Sequence, residues 1–247
     1  MIQRIHQRLQ QIRNGRRFGV PFLRHSRFTL PSEIKLGGRG VPLAYPDEVG
    51  VWNDFLVCFI HDEYGLRQLP SSVAKILDIG ANVGFFSLAA RSYFPAATIH
   101  AYEPNSRTLT YLQKNAAAGR FEVFGEAVGA NEGWVTIEDS GDSNQARTSA
   151  SANAQGVRQV PFAAIVERLG GWIDFAKIDC EGAEWDLFRD AASWKRIGEV
   201  RMEYHLVDSH TYADVQQALS DLGFEIYLHE PAESWGMVWA RNHSPDR

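Results

Sequence analysis

From Lys75 onward the chain alternates between two rhythms, short apolar runs of strand length and stretches in which apolar residues recur every three or four positions. KILDI (75–79) reads as a strand and 83–93 as a helix. TIHAY (98–102) is the next strand, 106–118 a helix, RFEVF (120–124) a strand, and GWVTIE (133–138) an antiparallel addition. GWIDFAKID (171–179), a helix over 183–189 and IGEVRMEYH (197–205) continue the series. A helix over 211–222 and the strands FEIYLH (224–229) and WGMVWAR (235–241), joined as a hairpin, close it. Repeated strand–helix units predict an α/β fold, a mostly parallel sheet with an antiparallel last strand and helices on both faces.

Residues before 75 follow other patterns. EIKLGGRGVPLAY (33–45) alternates around GGRG and predicts a β-hairpin. Residues 50–64 predict a largely buried helix closed by Gly65. At the start, Ile2, Ile5, Leu9 and Ile12 recur at helical spacing with arginines between them. The segment 139–156, DSGDSNQARTSASANAQG, has almost nothing to bury and reads as a lid over the site or a surface insertion.

Charge modifies this picture. Residues 1–40 hold nine basic side chains against the single acid Glu33, so the remaining chain sums to −13 within a net charge of −5. A basic amphipathic helix suits an anionic surface, but four apolar residues anchor poorly to a membrane. The reading adopted is a terminal helix docked on the acidic body of its own chain or of a second copy, which makes a homo-oligomer an expectation. The acidic body argues against broad nucleic-acid binding. No apolar run approaches the ~20 residues of a membrane span, no secretory signal pattern is present, and with Cys58 and Cys180 alone no disulfide framework is suggested. A cytoplasmic protein is expected.

The chemistry concentrates in KILDIGANVGFFSLAA (75–90). A glycine turn between a strand and its helix brings a ligand against bare backbone at a helix N-terminus. Nineteen residues after Gly84, Glu103 ends the next strand, where a carboxylate accepts both hydroxyls of an adenosine ribose. NAD and S-adenosylmethionine both carry that ribose. Asp78, two residues before Gly80, would repel a pyrophosphate and suits the ammonium and sulfonium of S-adenosylmethionine. An NAD-dependent oxidoreductase and a non-catalytic module of the same fold are the rival readings.

LDIGANVGFFSL, HAYEPN, EAVG (126–129), KIDCEGAE (177–184) and RMEYH (201–205) together resemble the FkbM-type methyltransferases in order and spacing. The resemblance implies a Rossmann-like class I methyltransferase domain over 71–247, preceded by a helical and hairpin extension over 1–70. It implies S-adenosylmethionine as methyl donor and a hydroxyl acceptor on a sugar, polyketide or other secondary metabolite. Carried onto matching positions, it assigns cofactor binding to Asp78, Gly80, Asn82, Gly84 and Glu103. Ser87 is then placed to hold the methionine carboxylate, with Glu126 and Ala127 at the adenine edge. One departure is VPFAAIV, where Val166 stands in place of the family's acid.

Catalysis of methyl transfer to an alcohol rests on placing the acceptor oxygen and on a base beside it. Candidates end adjacent strands: Asp179 with Glu181 and Glu184 after it, and Glu203 with His205. His205 is the expected base, oriented by Glu203 or Asp179. The alternative, a divalent cation on Asp179, Glu203 and His205, is the less favoured one. Among the tryptophans Trp185, Trp194, Trp235 and Trp239, core positions are expected, as for Cys180.

Overall fold

The arginine-rich start is helical over Ile2–Arg17 (α1) in the computed structural model, which describes residues 2–22, 28–138, 147–150 and 156–243. Only the end of α1 docks. Asn14 is buried and donates to the Ile60 carbonyl at 2.9 Å, and Phe18 sits edge-on to Phe59. Ile5 and Leu9 are 55% and 61% exposed, so the expected stripe does not lie on the body along its full length. The hairpin follows as β1 (Glu33–Leu36) and β2 (Arg39–Pro42). Helix α2 (Val49–Phe55) runs straight into a π-helical turn, Leu56–His61, and ends where Asp62 turns left-handed at φ 56°, earlier than the expected stop at Gly65.

The strand–helix series is β3 (Lys75–Ile79), α3 (Phe85–Tyr93), β4 (Thr98–Tyr102), α4 (Ser106–Gly119) and β5 (Glu122–Phe124). Asn105 caps α4 by accepting the Arg107 N–H. Four strands then build a second sheet: β6 (Ala127–Gly129), β7 (Gly133–Glu138), β8 (Arg147–Ala150) and β9 (Val157–Pro161), in the order β6-β9-β7-β8. Segment 133–138 is therefore antiparallel, as expected, but to β8 and β9 rather than to the main sheet. Of the expected lid, 139–146 and 151–155 lie outside the described residues. The chain continues through α5 (Phe162–Arg168), β10 (Ile173–Ile178), α6 (Glu184–Leu187), α7 (Ala191–Trp194), β11 (Ile197–His205), α8 (Tyr212–Asp221), β12 (Phe224–Pro231) and β13 (Trp235–Asn242). Val166, at the position of the family's acid, is fully buried in α5.

The main sheet is ordered β12-β13-β11-β10-β3-β4-β5. The strands from β11 to β5 are parallel, and β13 runs antiparallel to both β11 and β12. Alternation along each strand divides two cores. Ile76, Ile99 and Phe175 face one layer with Phe55, Phe59 and Phe85, whereas Leu77, Ala176, Val200 and Met202 face Trp194 and Leu219 in the other. The extension thus shares a core with α3, and burying Phe55 and Phe59 contributes roughly 1.5–3 kcal/mol each. Chain order reverses between β3 and β10, and such switch points open a crevice at the carboxyl ends of the strands.

Candidate active site

The crevice is an open cleft whose space, solvent at its mouth included, amounts to about 960 Å³. Its floor is the turn after β3. Gly80 takes φ 75°, and a Cβ there would fall 1.6 Å from the Asp179 carbonyl oxygen, so only glycine lets the turn approach the end of β10. The N–H groups of Gly80 and Ala81 both donate to the Tyr102 carbonyl at 3.0 Å, which ties the turn to β4. Gly84, at φ 84°, opens α3 as its N-cap.

Glu103 projects into the cleft from the end of β4. One carboxylate oxygen accepts the Asn82 N–H at 2.7 Å and the other the Asn105 N–H at 2.8 Å. Burial pushes its pKa up to about 7 against those two bonds. Each oxygen keeps a lone pair, so two adjacent hydroxyls can still be accepted. Glu126 and Ala127 line the same end; Glu126 is held by Arg168 at 2.7 Å and Arg158 at 3.5 Å.

Asp78 and Ser87 lie beneath the floor rather than in it. Both are fully buried, and the Ser87 hydroxyl donates to Asp78 Oδ2 at 2.6 Å. The other Asp78 oxygen is 3.5 Å from Lys177 Nζ, which also reaches Asp179 at 3.4 Å and the carbonyls of Ile79 and Gly80. Burial lowers the Lys177 pKa, but Asp179 and Asp78 more than reverse it, and the ammonium stays charged. The charge of Asp78 is thus met by Lys177, the residue facing it across the β3–β10 register. The electrostatic character of the cleft comes from the side chains that do line it: Asp54, Glu103, Glu126, Asp179 and Glu181, against the one cation Lys177 among the described residues.

At the far end, Asp179 accepts the Tyr64 hydroxyl at 3.3 Å. Glu181 stands at φ 56° and Gly182 at φ 106° in the loop after β10. Fully buried Glu184 holds that loop by accepting the N–H groups of Cys180 and Gly182 at 2.9 and 3.0 Å. His205, at the end of β11, is buried behind the cleft wall. Its Nε2 lies 3.3 Å from Glu181 and 3.6 Å from Glu203, and its Nδ1 3.5 Å from Glu184. Burial alone would lower its pKa, but Glu184 and Glu181 raise it to about 9. Glu203 is pushed up as well, by burial first and then by Asp179. The expected base therefore carries a proton at neutral pH, and neither His205 nor Glu203 is among the residues lining the cleft. No group of three or more His, Cys, Asp or Glu among the described residues is arranged to hold a metal ion.

A model of the methyltransferase FkbM domain matches residues 78–226, more than half of the chain. The chain belongs to the FkbM methyltransferase family. It is similar to AMB antimetabolite synthetase AmbE of Pseudomonas aeruginosa, at 26% identity over 82% of this chain; the match spans 12% of that much longer protein. It is also similar to Methyltransferase 1 of Beauveria bassiana, at 27% identity over 70% of this chain and 83% of the relative. Among solved structures, an O-methyltransferase family protein from Burkholderia thailandensis matches at a TM-score of 0.48 and 10% identity, covering 80% of this chain and 60% of that one.

Asp54, Tyr64 and Lys177 line the cleft without a role assigned from sequence. Lys177 left a signal, because a lysine inside the apolar strand IDFAKI needs a buried carboxylate. Asp54 and Tyr64 precede the matched region and left none. Of the tryptophans, Trp194 and Trp239 are core, Trp235 is 42% exposed, and Trp185 stacks on His210. Cys180 is half-buried, packing against the core on one side and lining the cleft on the other. No helix of the described residues is long and apolar enough to cross a membrane.

Proposed function

We propose that this chain transfers a methyl group from S-adenosylmethionine to a hydroxyl oxygen of a small molecule. The observation that carries the reading is Glu103 in the cleft, with a lone pair free on each oxygen beside a turn that only glycine permits at residue 80. Hydroxyl donors from a ribose would hold this carboxylate in its ionised form. The excess of carboxylates along the cleft suits a cationic ligand and opposes a pyrophosphate. When bound, S-adenosylmethionine supplies a methyl group made electrophilic by its sulfonium.

The chain's own part is to position the acceptor and take its proton. Asp179 is the base in this reading, because it lines the cleft at the strand ends and is fixed by Lys177 and Tyr64. Glu181 lines the acceptor side. His205, charged and flanked by Glu181, Glu184 and Glu203, positions Glu181 instead of serving as base. The acceptor classes implied by the family resemblance, a sugar, polyketide or other secondary metabolite, remain part of the proposal.

Calorimetric titration with S-adenosylhomocysteine and NAD tests the cofactor, and binding of the first alone is expected. Binding of NAD alone overturns the reading. With an accepted hydroxyl compound in hand, Asp179→Asn should lower kcat by ~10²–10⁴-fold with S-adenosylhomocysteine affinity kept. Unchanged kcat in D179N together with its loss in H205Q would return the base to His205.

A further inference from the structure

The segment ahead of the family-matched region does more than cover the core, and we infer that its Asp54 is a cofactor ligand that receives the α-ammonium of the methionine tail. The inference rests on the S-adenosylmethionine reading. Asp54 sits on α2 and lines the cleft, and its Oδ2 accepts the side-chain amide of Asn82 at 2.8 Å. Asn82 is the left-handed residue of the turn, at φ 46°, and its own N–H is spent on Glu103. One residue thus ties together two carboxylates. Glu103 and Asp54 flank the turn from opposite sides, the first arriving from the sheet and the second from the extension.

The two ends of the cleft fix which part of the ligand each would meet. Glu103, Glu126 and Ala127 share the end suited to the ribose and the base. The other end is built by Asp54, Tyr64, Lys177 and Asp179. A ligand whose ribose sits on Glu103 extends its amino-acid tail along the turn towards Asp54. An ammonium needs an acceptor there. The turn's own geometry leaves little else, because Asp78 is sealed under the floor and paired with Lys177. Asp179 meets Lys177 and Tyr64 through Oδ2 alone and, in this reading, serves the acceptor's proton as base. A carboxylate that meets an ammonium gains a charge-assisted hydrogen bond, roughly twice as strong as a neutral one.

Asp54→Asn separates charge from shape, since an asparagine oxygen can still accept from Asn82. The ligand pair that isolates the ammonium-bearing tail is S-adenosylhomocysteine and 5′-methylthioadenosine, both neutral at sulfur and differing by the amino-acid tail. Calorimetric Kd values for both should be measured on the full chain, wild type and D54N, with Asp54→Ala as a second variant. Expected is a ~10- to 100-fold loss for S-adenosylhomocysteine in D54N, with the Kd for methylthioadenosine unchanged within about twofold. Equal losses for both ligands would make Asp54 a support of the turn and overturn the inference. No loss for either in D54N and D54A would overturn it as well. Wild-type protein that binds neither ligand would instead bring down the cofactor reading on which the inference stands.

Discussion

The two halves of the cleft hold their carboxylates in opposite ways. At the β3–β4 end, each negative charge meets fixed donors: Glu103 accepts two backbone N–H groups, and Asp78 is held by Ser87 and Lys177. At the β10–β11 end, Glu181, Glu184 and Glu203 surround one imidazole within 3.3 to 3.6 Å. In the first, backbone N–H groups fix the place of Glu103, whose pKa burial raises to about 7, and two fixed side chains hold Asp78. The second is set by the mutual charge of side chains, so its proton content is shared and titratable. In the proposed reading the first end grips the cofactor, while the second, with Asp179 beside it, handles the acceptor's proton.

Lys177 joins the halves, since it touches Asp78 of one and Asp179 of the other. Lys177→Met keeps the aliphatic length and removes the charge. It should cost about 3–5 kcal/mol of unfolding free energy in urea, because Asp78 is left buried without a counter-charge. Adding Asp78→Asn should recover part of that loss, as the orphaned charge is then gone. A single-variant cost below about 1 kcal/mol would mean that the Asp78 end is not held by this pair, and the contrast between the ends would lose its basis.

Much of the backbone-built half is legible in the sequence because its determinants are local. KILDI and TIHAY alternate between two buried faces, glycines mark the turn, and Glu103 falls at a strand end, all within thirty residues. What the sequence hides is the pairing of distant elements. The Asp78–Lys177 contact depends on the β3–β10 register, which brings together residues almost a hundred positions apart. Ser87 was expected to face a ligand, yet α3 starts so that this residue points down onto Asp78. Asp54 becomes part of the cleft through packing of α2 on α3, which no local pattern announces. The second sheet is made of strands as short as three residues, too short for a period to be read. His205 reads as an imidazole with Glu203 of its own strand beside it until Glu181 and Glu184, from the stretch after β10, are seen around it as well.

The charge-built half makes a prediction in pH. His205, raised to about 9, stabilises the fold fully below its unfolded pKa near 6.5, and that contribution is lost as pH rises through about 9. Glu203, also raised, binds a proton in the native state that the unfolded chain releases above its ordinary range near 4.3. Both contributions make stability fall between pH 6.5 and 9. Glu203→Gln mimics the protonated acid, and the variant should exceed wild type in unfolding free energy from urea titration at pH 8 by on the order of 1–3 kcal/mol. The difference should vanish below about pH 4.5, and the slope left in E203Q belongs to His205. A variant less stable than wild type at pH 8 would show Glu203 ionised against the imidazolium, which makes the two halves alike in kind.

The smallest effect distinguishes floor from lining. Ser87→Ala removes one hydrogen bond to a buried carboxylate and leaves a void no larger than a hydroxyl, so a loss of about 1–2 kcal/mol is expected. Lys177 still faces Asp78, so the counter-charge stays in place and the turn above it keeps its shape. Cofactor affinity, measured with S-adenosylhomocysteine, should then change by less than about twofold. A tenfold loss of affinity with unchanged stability would place the Ser87 hydroxyl on the ligand after all. That result would add the start of α3 to Asp54 among the groups proposed to hold the methionine tail.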